Sequence, residues 1–252
     1  MKRIPRKGPM KDGATTERGP MSAASTGAPE ALDINAVVNN LGVGMAQVIY
    51  TLIGGMVLFA DGAEVLVLSV MNIMLAKELK ISKVAQGALI SITFCGVGLG
   101  GYPSGFISDM FGRRVPILLS FFGVVAVNML TVFTMTYGVI AICCFISGCF
   151  MRMGVPAWQC LAVEVSPTSW RVFISAAGGS LFSVGQIYVI GIIFLTDPRM
   201  KHLDWRRLLM YVSIPPAVCF VLAYFLLYES PHFLYDQKQY ERLRDVISMM
   251  AF

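Results

Sequence analysis

Charge is what this sequence has least of. Only 14% of its 252 residues are Asp, Glu, Lys or Arg, against about 25% in a typical soluble domain. That shortage excludes an ordinary water-facing surface. Histidine is nearly absent: His202 and His232 are the two copies and lie far apart. The six cysteines, Cys95, Cys143, Cys144, Cys149, Cys160 and Cys219, show no metal-ligand spacing. No metal site and no cofactor is therefore expected. All six fall inside apolar runs, which predicts small apolar fillers between packed helices rather than a disulfide framework. There is no phosphate-binding loop, nucleophile elbow or metal signature, so an enzyme is not expected. The net charge of +5 does not point to nucleic acid. Lys2, Arg3, Arg6, Lys7, Lys11 and Arg18 sit in the first eighteen positions, and most other basic residues flank apolar runs. No apolar signal-peptide core stands near the start, so cleavage is not expected.

What is present is apolar length. The chain is 56% hydrophobic, with a mean hydropathy of +0.68. Residues 1–34, rich in Gly, Pro, Ser, Thr, Ala and basic side chains, cannot bury apolar area and are expected to form a disordered basic tail. A membrane-spanning helix needs about 20 predominantly apolar residues. Six runs meet that length: Val48–Ala76, Val84–Ser108, Val115–Met135, Tyr137–Val163, Val172–Thr196 and Leu208–Tyr228. The fold class this implies is an all-α membrane protein, with residues 35–234 as a six-span transmembrane bundle in a lipid bilayer. Pro215 and Pro216 are expected to kink or start the last span. Residues 235–252 set charges between Leu243, Val246, Ile247 and Met250, the pattern of an amphipathic helix on the membrane surface or against the bundle. Basic residues favour a cytoplasmic N-terminus only because of the tail; without it the two faces are nearly balanced.

Between the second and third spans runs Gly105-Phe-Ile-Ser-Asp-Met-Phe-Gly-Arg-Arg114. Gly105 and Gly112 are expected to allow close approach and a sharp bend. Asp109, Arg113 and Arg114 put one acid and two fixed cations at one membrane face. By itself the loop also fits a positive-inside anchor of any multi-span protein. In the first span, Asp61 and Glu64 stand three apart and so share a helix face. A carboxylate inside a bilayer costs a few kcal/mol and normally faces a cavity or a partner. Such a pair suits a polar cavity, cation attraction or proton carriage; alternatively one of them is solvated at the far membrane surface. Arg152 in the fourth span requires an acid, which Asp61 or Glu64 supplies if all face the interior. Gln186 is polar among apolar neighbours and fits either a solute contact or an interhelical hydrogen bond. Asn72, Asn128, Trp158 and Gln159 carry the same ambiguity.

Gly105, Asp109, Gly112, Arg113 and Arg114 match the G-x-x-x-D-x-x-G-R-[RK] loop of the major facilitator superfamily, which the chain resembles over about residues 45–245. Glu164-Val-Ser-Pro-Thr-Ser-Trp-Arg171 fits its E-x-x-P-x-x-x-R. Tyr228-Glu-Ser-Pro-His-Phe-Leu234 resembles the P-E-S-P-R-[FW]-L of the sugar-porter and organic-ion branches. Asp61 to Ser69 and Gly154-Val-Pro156 resemble the synaptic-vesicle-protein-like and organic-ion transporters. The sequence departs from the pattern where Phe145 takes a usual Arg, His232 another Arg, and Tyr228 a Pro. The resemblance implies the N-terminal six-helix half of a major facilitator fold, with residues 235–252 also readable as the start of the central linker. It implies a cytoplasmic gate of Gly105, Asp109, Gly112, Arg113, Arg114, Glu164, Arg171 and Glu229. It implies a substrate or ion path through Asp61, Glu64, Arg152 and Gln186, with the first and fourth spans as neighbours and Gln186 where sugar porters contact substrate. The function implied is alternating-access transport of a small organic solute (sugar, carboxylate or organic cation), with or without a coupled proton. The partner implied is a missing C-terminal half or a second copy, in the plasma membrane or an organelle membrane. The other class left open is a non-transporting membrane half-protein with a trafficking or regulatory role.

Overall fold

In lipid, each backbone N–H and C=O must be paired within its own segment, so apolar runs of this length have to be helical. The computed structural model describes residues 44–197 and 204–250, together with 38, 39 and 42. The tail expected over residues 1–34 lies outside them, as does the segment 198–203. Among the described residues six helices are long and apolar enough to cross a membrane: α1 (Met45–Glu78), α2 (Lys83–Phe111), α3 (Arg114–Val132), α4 (Tyr137–Val165), α5 (Arg171–Thr196) and α6 (Trp205–Leu226). Two shorter helices follow, α7 (Pro231–Asp236) and α8 (Tyr240–Met250).

Side-chain caps set several boundaries. Ser82 accepts the Ala85 N–H at the start of α2, and Asp204 accepts the Arg206 N–H at the start of α6. α6 begins at Trp205 and runs through Pro215 and Pro216, so neither proline starts it. The amphipathic pattern near the end resolves toward the bundle, because Leu243 and Val246 of α8 are buried in the main core.

α1 is the central helix, packed on α4, α5 and α6, while α2 lies along α4 and α3 fits between α4 and α6. The closest approaches are made at glycine. On α1 and α5, Gly62 lies against the Phe182 carbonyl and Gly185 against the Phe59 carbonyl. On α2, Gly96 and Gly100 lie against the carbonyls of Phe145 and Cys149 of α4, and Ser104 Oγ donates to Met153 O at 2.5 Å. Lipid offers no hydrophobic drive between helices, so backbone-to-backbone contact of this kind supplies the attraction.

The core divides into two apolar clusters. One contains Tyr50, Ile53, Val57, Phe121, Trp158, Cys219, Ala223, Leu234, Leu243 and Val246. The other contains Ala63, Val67, Leu75, Leu89, Val132, Ile140, Cys144, Trp205 and Val212. Between them in the chain fall single buried polar residues on four helices: Asp61 on α1, Asn128 on α3, Ser147 on α4 and Ser213 on α6. That level holds the first part of the candidate site.

Candidate functional site

Asp61 and Glu64 lie at the middle of the 34-residue α1 and are 6% and 7% exposed. Neither reaches a membrane surface, so the solvated reading does not hold. Glu64 accepts a hydrogen bond from Asn128 Nδ2 of α3. The same amide nitrogen lies 3.2 Å from Ser213 Oγ of α6, and that hydroxyl donates to Leu209 O at 2.8 Å. Three helices thus meet at one buried polar chain. Asp61 makes no hydrogen bond among the described residues. The charges acting on it are those of Arg152 and Glu64.

Arg152 is not where an interior partner would be. It is exposed, with its stem beside α2, where a Cβ at Gly101 would stand 3.7 Å from its Cγ. No ion pair joins it to Asp61 or Glu64 within 4 Å among the described residues. The buried face of α4 mixes small groups such as Ser147, Gly148 and Gly154 with Met151, Trp158 and Leu161. Packing of that face on α1, α2 and α3 sets the rotation of α4 and leaves Arg152 outside it. Gln186 is half-buried on α5 and makes no hydrogen bond among the described residues. Of the other ambiguous residues, Asn72 Nδ2 donates across helices to Gln86 O at 3.2 Å, and Gln159 is exposed. The Trp158 ring fills the slot between Gly54 and Gly178, a packing role.

The second part of the site is the turn between α2 and α3. Arg113 Nη2 meets Glu164 Oε1 of α4 at 3.2 Å, with both side chains less than a fifth exposed. Its Nη1 donates to Ser108 O at 3.0 Å and reaches Asp109 at 3.5 Å, but Asp109 is 78% exposed. Arg114 donates to Tyr224 O of α6 and lies over the Tyr224 ring. Arg171 Nε donates to Ser166 O at 3.3 Å, closing the α4–α5 turn.

Among the described residues no guanidinium lies within ion-pair distance of Glu229, although the Arg114 charge acts on it. Its Oε1 accepts the backbone N–H groups of Arg113 at 2.6 Å and Arg114 at 3.2 Å. It caps the start of α3, where unpaired N–H groups and the helix dipole favour an anion. Burial pushes the Glu229 carboxyl above its usual range, and those N–H bonds hold it back.

Gly112 makes this cap possible. Its φ of +91° is one that side chains rarely adopt, and a Cβ there would overlap the Glu229 carboxylate. Gly105 differs from its expectation: a Cβ there meets nothing within 4 Å, because that face of α2 points away from the bundle. Gly112→Ala is therefore expected to cost about 1–3 kcal/mol through backbone strain, and further stability through the lost cap. Gly105→Ala should fold as the wild type does. Melting temperatures of the two variants in detergent check this, and equal losses would contradict the assignment.

Some polar partners escaped sequence reading. Thr93, Ser147 and Ser213 are single hydroxyls in apolar runs, where such groups usually satisfy their own helix and carry no signal. On the opposite membrane face, Glu78 accepts from Trp205 Nε1 at 2.6 Å and Arg206 at 2.9 Å, and Arg206 stacks on the Trp205 ring at 4.3 Å. Only the charges of that latch were visible in sequence.

Fold and site together define an integral, multi-pass membrane protein with a polar level at mid-bundle and a charged latch at each face. The chain belongs to the sugar (and other) transporter family, whose model matches residues 50–251. It is similar to svop-1 of Caenorhabditis elegans, 27% identical over 237 residues, covering 94% of this chain and 45% of that protein. It is similar to organic cation/carnitine transporter 7 of Arabidopsis thaliana, 27% identical over 201 residues, covering 77% and 38%. Among solved structures, the major facilitator proton:xylose symporter XylE bound to 6-bromo-6-deoxy-D-glucose matches with a TM-score of 0.68 at 18% identity, covering 86% of this chain and 50% of that one. The fold is that of the major facilitator superfamily. The chain spans less than half the length of these curated relatives.

Proposed function

We propose that this chain forms the N-terminal half of an alternating-access transporter for a small organic solute. The observation that carries the reading is Asp61: a carboxylate buried mid-bundle, without a hydrogen bond among the described residues, between two apolar cores. A carboxylate left so in a bilayer is costly unless a proton, a cation or a solute relieves it. In transporters of this build the substrate site lies near the midplane, where the halves meet. Asp61 suits an organic cation, or a neutral solute such as a sugar moved with a proton, better than an anion. The exposed Arg152 acts on it from the rim, and Gln186 stands on the same reading as a solute contact. The poorly buried faces of α2 and α5 are where a C-terminal half or a second copy packs. The cluster of Asp109, Arg113, Glu164, Arg171 and Glu229, with Arg114 beside it, acts as the cytoplasmic gate, its contacts opening to water as the halves rock.

The test is uptake by cells expressing the chain, using a labelled pentose, a dicarboxylate and a quaternary ammonium ion at acidic and neutral pH. Uptake of one class is expected, reduced at least tenfold by Asp61→Asn with the amount of protein in the membrane unchanged. A chain correctly inserted yet taking up none of the three would favour a non-transporting role. Full activity in Asp61→Asn would remove Asp61 from the path.

A further inference from the structure

Beside Glu64 the bundle encloses a cavity of about 30 Å³. Helices α1, α2, α3, α4 and α6 all contribute to its wall, and its polar lining is Glu64, Thr93, Asn128, Thr131 and Ser147. A polar space needs about 10–15 Å³ to hold one water-sized occupant. The space is therefore large enough for one small ion or water and too small for an organic solute.

The chemistry of the lining has a sign. Thr93 Oγ1 donates to Leu89 O at 2.9 Å, and Thr131 Oγ1 to Val127 O at 2.7 Å. With their protons committed to their own helices, both hydroxyls offer lone pairs. The Asn128 amide nitrogen is engaged by Glu64 and Ser213. Ser147 Oγ is buried with no partner among the described residues, on a residue only 7% exposed. Glu64 brings a full negative charge when ionised, and no Lys, Arg or His forms an ion pair with it among the described residues. Its titratable neighbours are Asp61 on α1 and Cys144 on α4. The rest of the wall is apolar, including Val67, Leu68, Met71 and Leu209, so the oxygen acceptors and one carboxylate are the groups left to hold an occupant, and they suit a hard cation. One negative charge balances one positive charge, which selects a monovalent ion.

We propose that this cavity is a binding site for a small monovalent cation of sodium size, held by Glu64 with Ser147, Thr93 and Thr131. The site is separate from Asp61 and from any solute, and its occupancy is measurable with no substrate present. Bound ion neutralises Glu64 and ties four helices together, α1, α2, α3 and α4. Its entry is past Phe94, Val65 and Val97, the wall residues that retain solvent exposure.

The experiment is thermal unfolding of the purified chain in detergent, followed by tryptophan fluorescence. Sodium chloride is compared with choline chloride at equal ionic strength and alkaline pH, alongside binding of radioactive sodium. A saturable rise in Tm of about 2–4 °C is expected in sodium, with one ion bound per chain. Glu64→Gln and Ser147→Ala should each abolish the rise and the bound ion, whereas Asp61→Asn should keep both. If Glu64→Gln fails to fold, the wild-type comparison and Ser147→Ala decide. Identical melting of the wild type in sodium and choline would overturn the proposal. So would a sodium effect that survives both variants. A Tm that follows pH but ignores sodium would also overturn it, assigning the space to water beside a protonated Glu64.

Discussion

Replacing Arg113 with Ala is expected to cost about 3 kcal/mol of stability, the low end of the range for breaking a buried pair. The Arg113–Glu164 bridge spans 3.2 Å and both side chains keep less than a fifth of their exposure. Without the guanidinium, Glu164 at the end of α4 has no cation within 4 Å among the described residues, and the Ser108 carbonyl keeps only the Gly112 N–H. The loss then comes from a stranded charge more than from the attraction itself, so removing both charges should be milder than removing one. Arg113→Leu with Glu164→Leu is expected to recover most of the stability. The measurement is a double-mutant cycle on unfolding in detergent, and strictly additive losses would show that the two residues do not act together. Asp109 offers the contrast. Its contact with Arg113 is longer, at 3.5 Å, and it is mostly exposed. Asp109→Asn should therefore change stability by no more than about 1 kcal/mol, the usual worth of an exposed pair. A role for Asp109 in gating would then appear in uptake and not in folding.

The largest structural effect is expected at Gly62. A Cβ there runs into the backbone carbonyl of Phe182, and the reciprocal contact places Gly185 on the carbonyl of Phe59. A side chain in the way can change rotamer; a helix backbone cannot, so α1 and α5 must move apart. One added methyl at a tight contact costs about 1–3 kcal/mol, and Gly62→Leu adds a whole branched side chain. No monodisperse protein is expected from Gly62→Leu on size-exclusion chromatography. Gly179→Leu on α5, where a Cβ meets nothing within 4 Å, should behave as wild type. Monodisperse Gly62→Leu at the wild-type level would mean that the α1–α5 contact is looser than this packing requires.

The spans were legible because their cause is local. Hydropathy over about 20 residues and the need to pair each backbone group within its segment are properties of one stretch of chain at a time. The same holds for Gly112, whose bend is a local backbone state, and for the pair Asp61 and Glu64, whose cost in lipid follows from residue type alone. Rotation of each helix about its axis is different, because only packing against the other helices sets it. Hence Arg152, expected inside, lies exposed, and Gly105, expected at a contact, faces outward. Glu229, read as a gate charge, caps the first turn of α3 across 115 positions of sequence. Glu64 finds Asn128 rather than Arg152, across 64 positions. The sequence by itself determined six membrane helices, their charged turns and two costly acids in the first of them. Only the tertiary structure decided what those acids and charges touch, because a polar partner in a bundle is chosen by which faces meet, and faces meet where small residues let backbones approach.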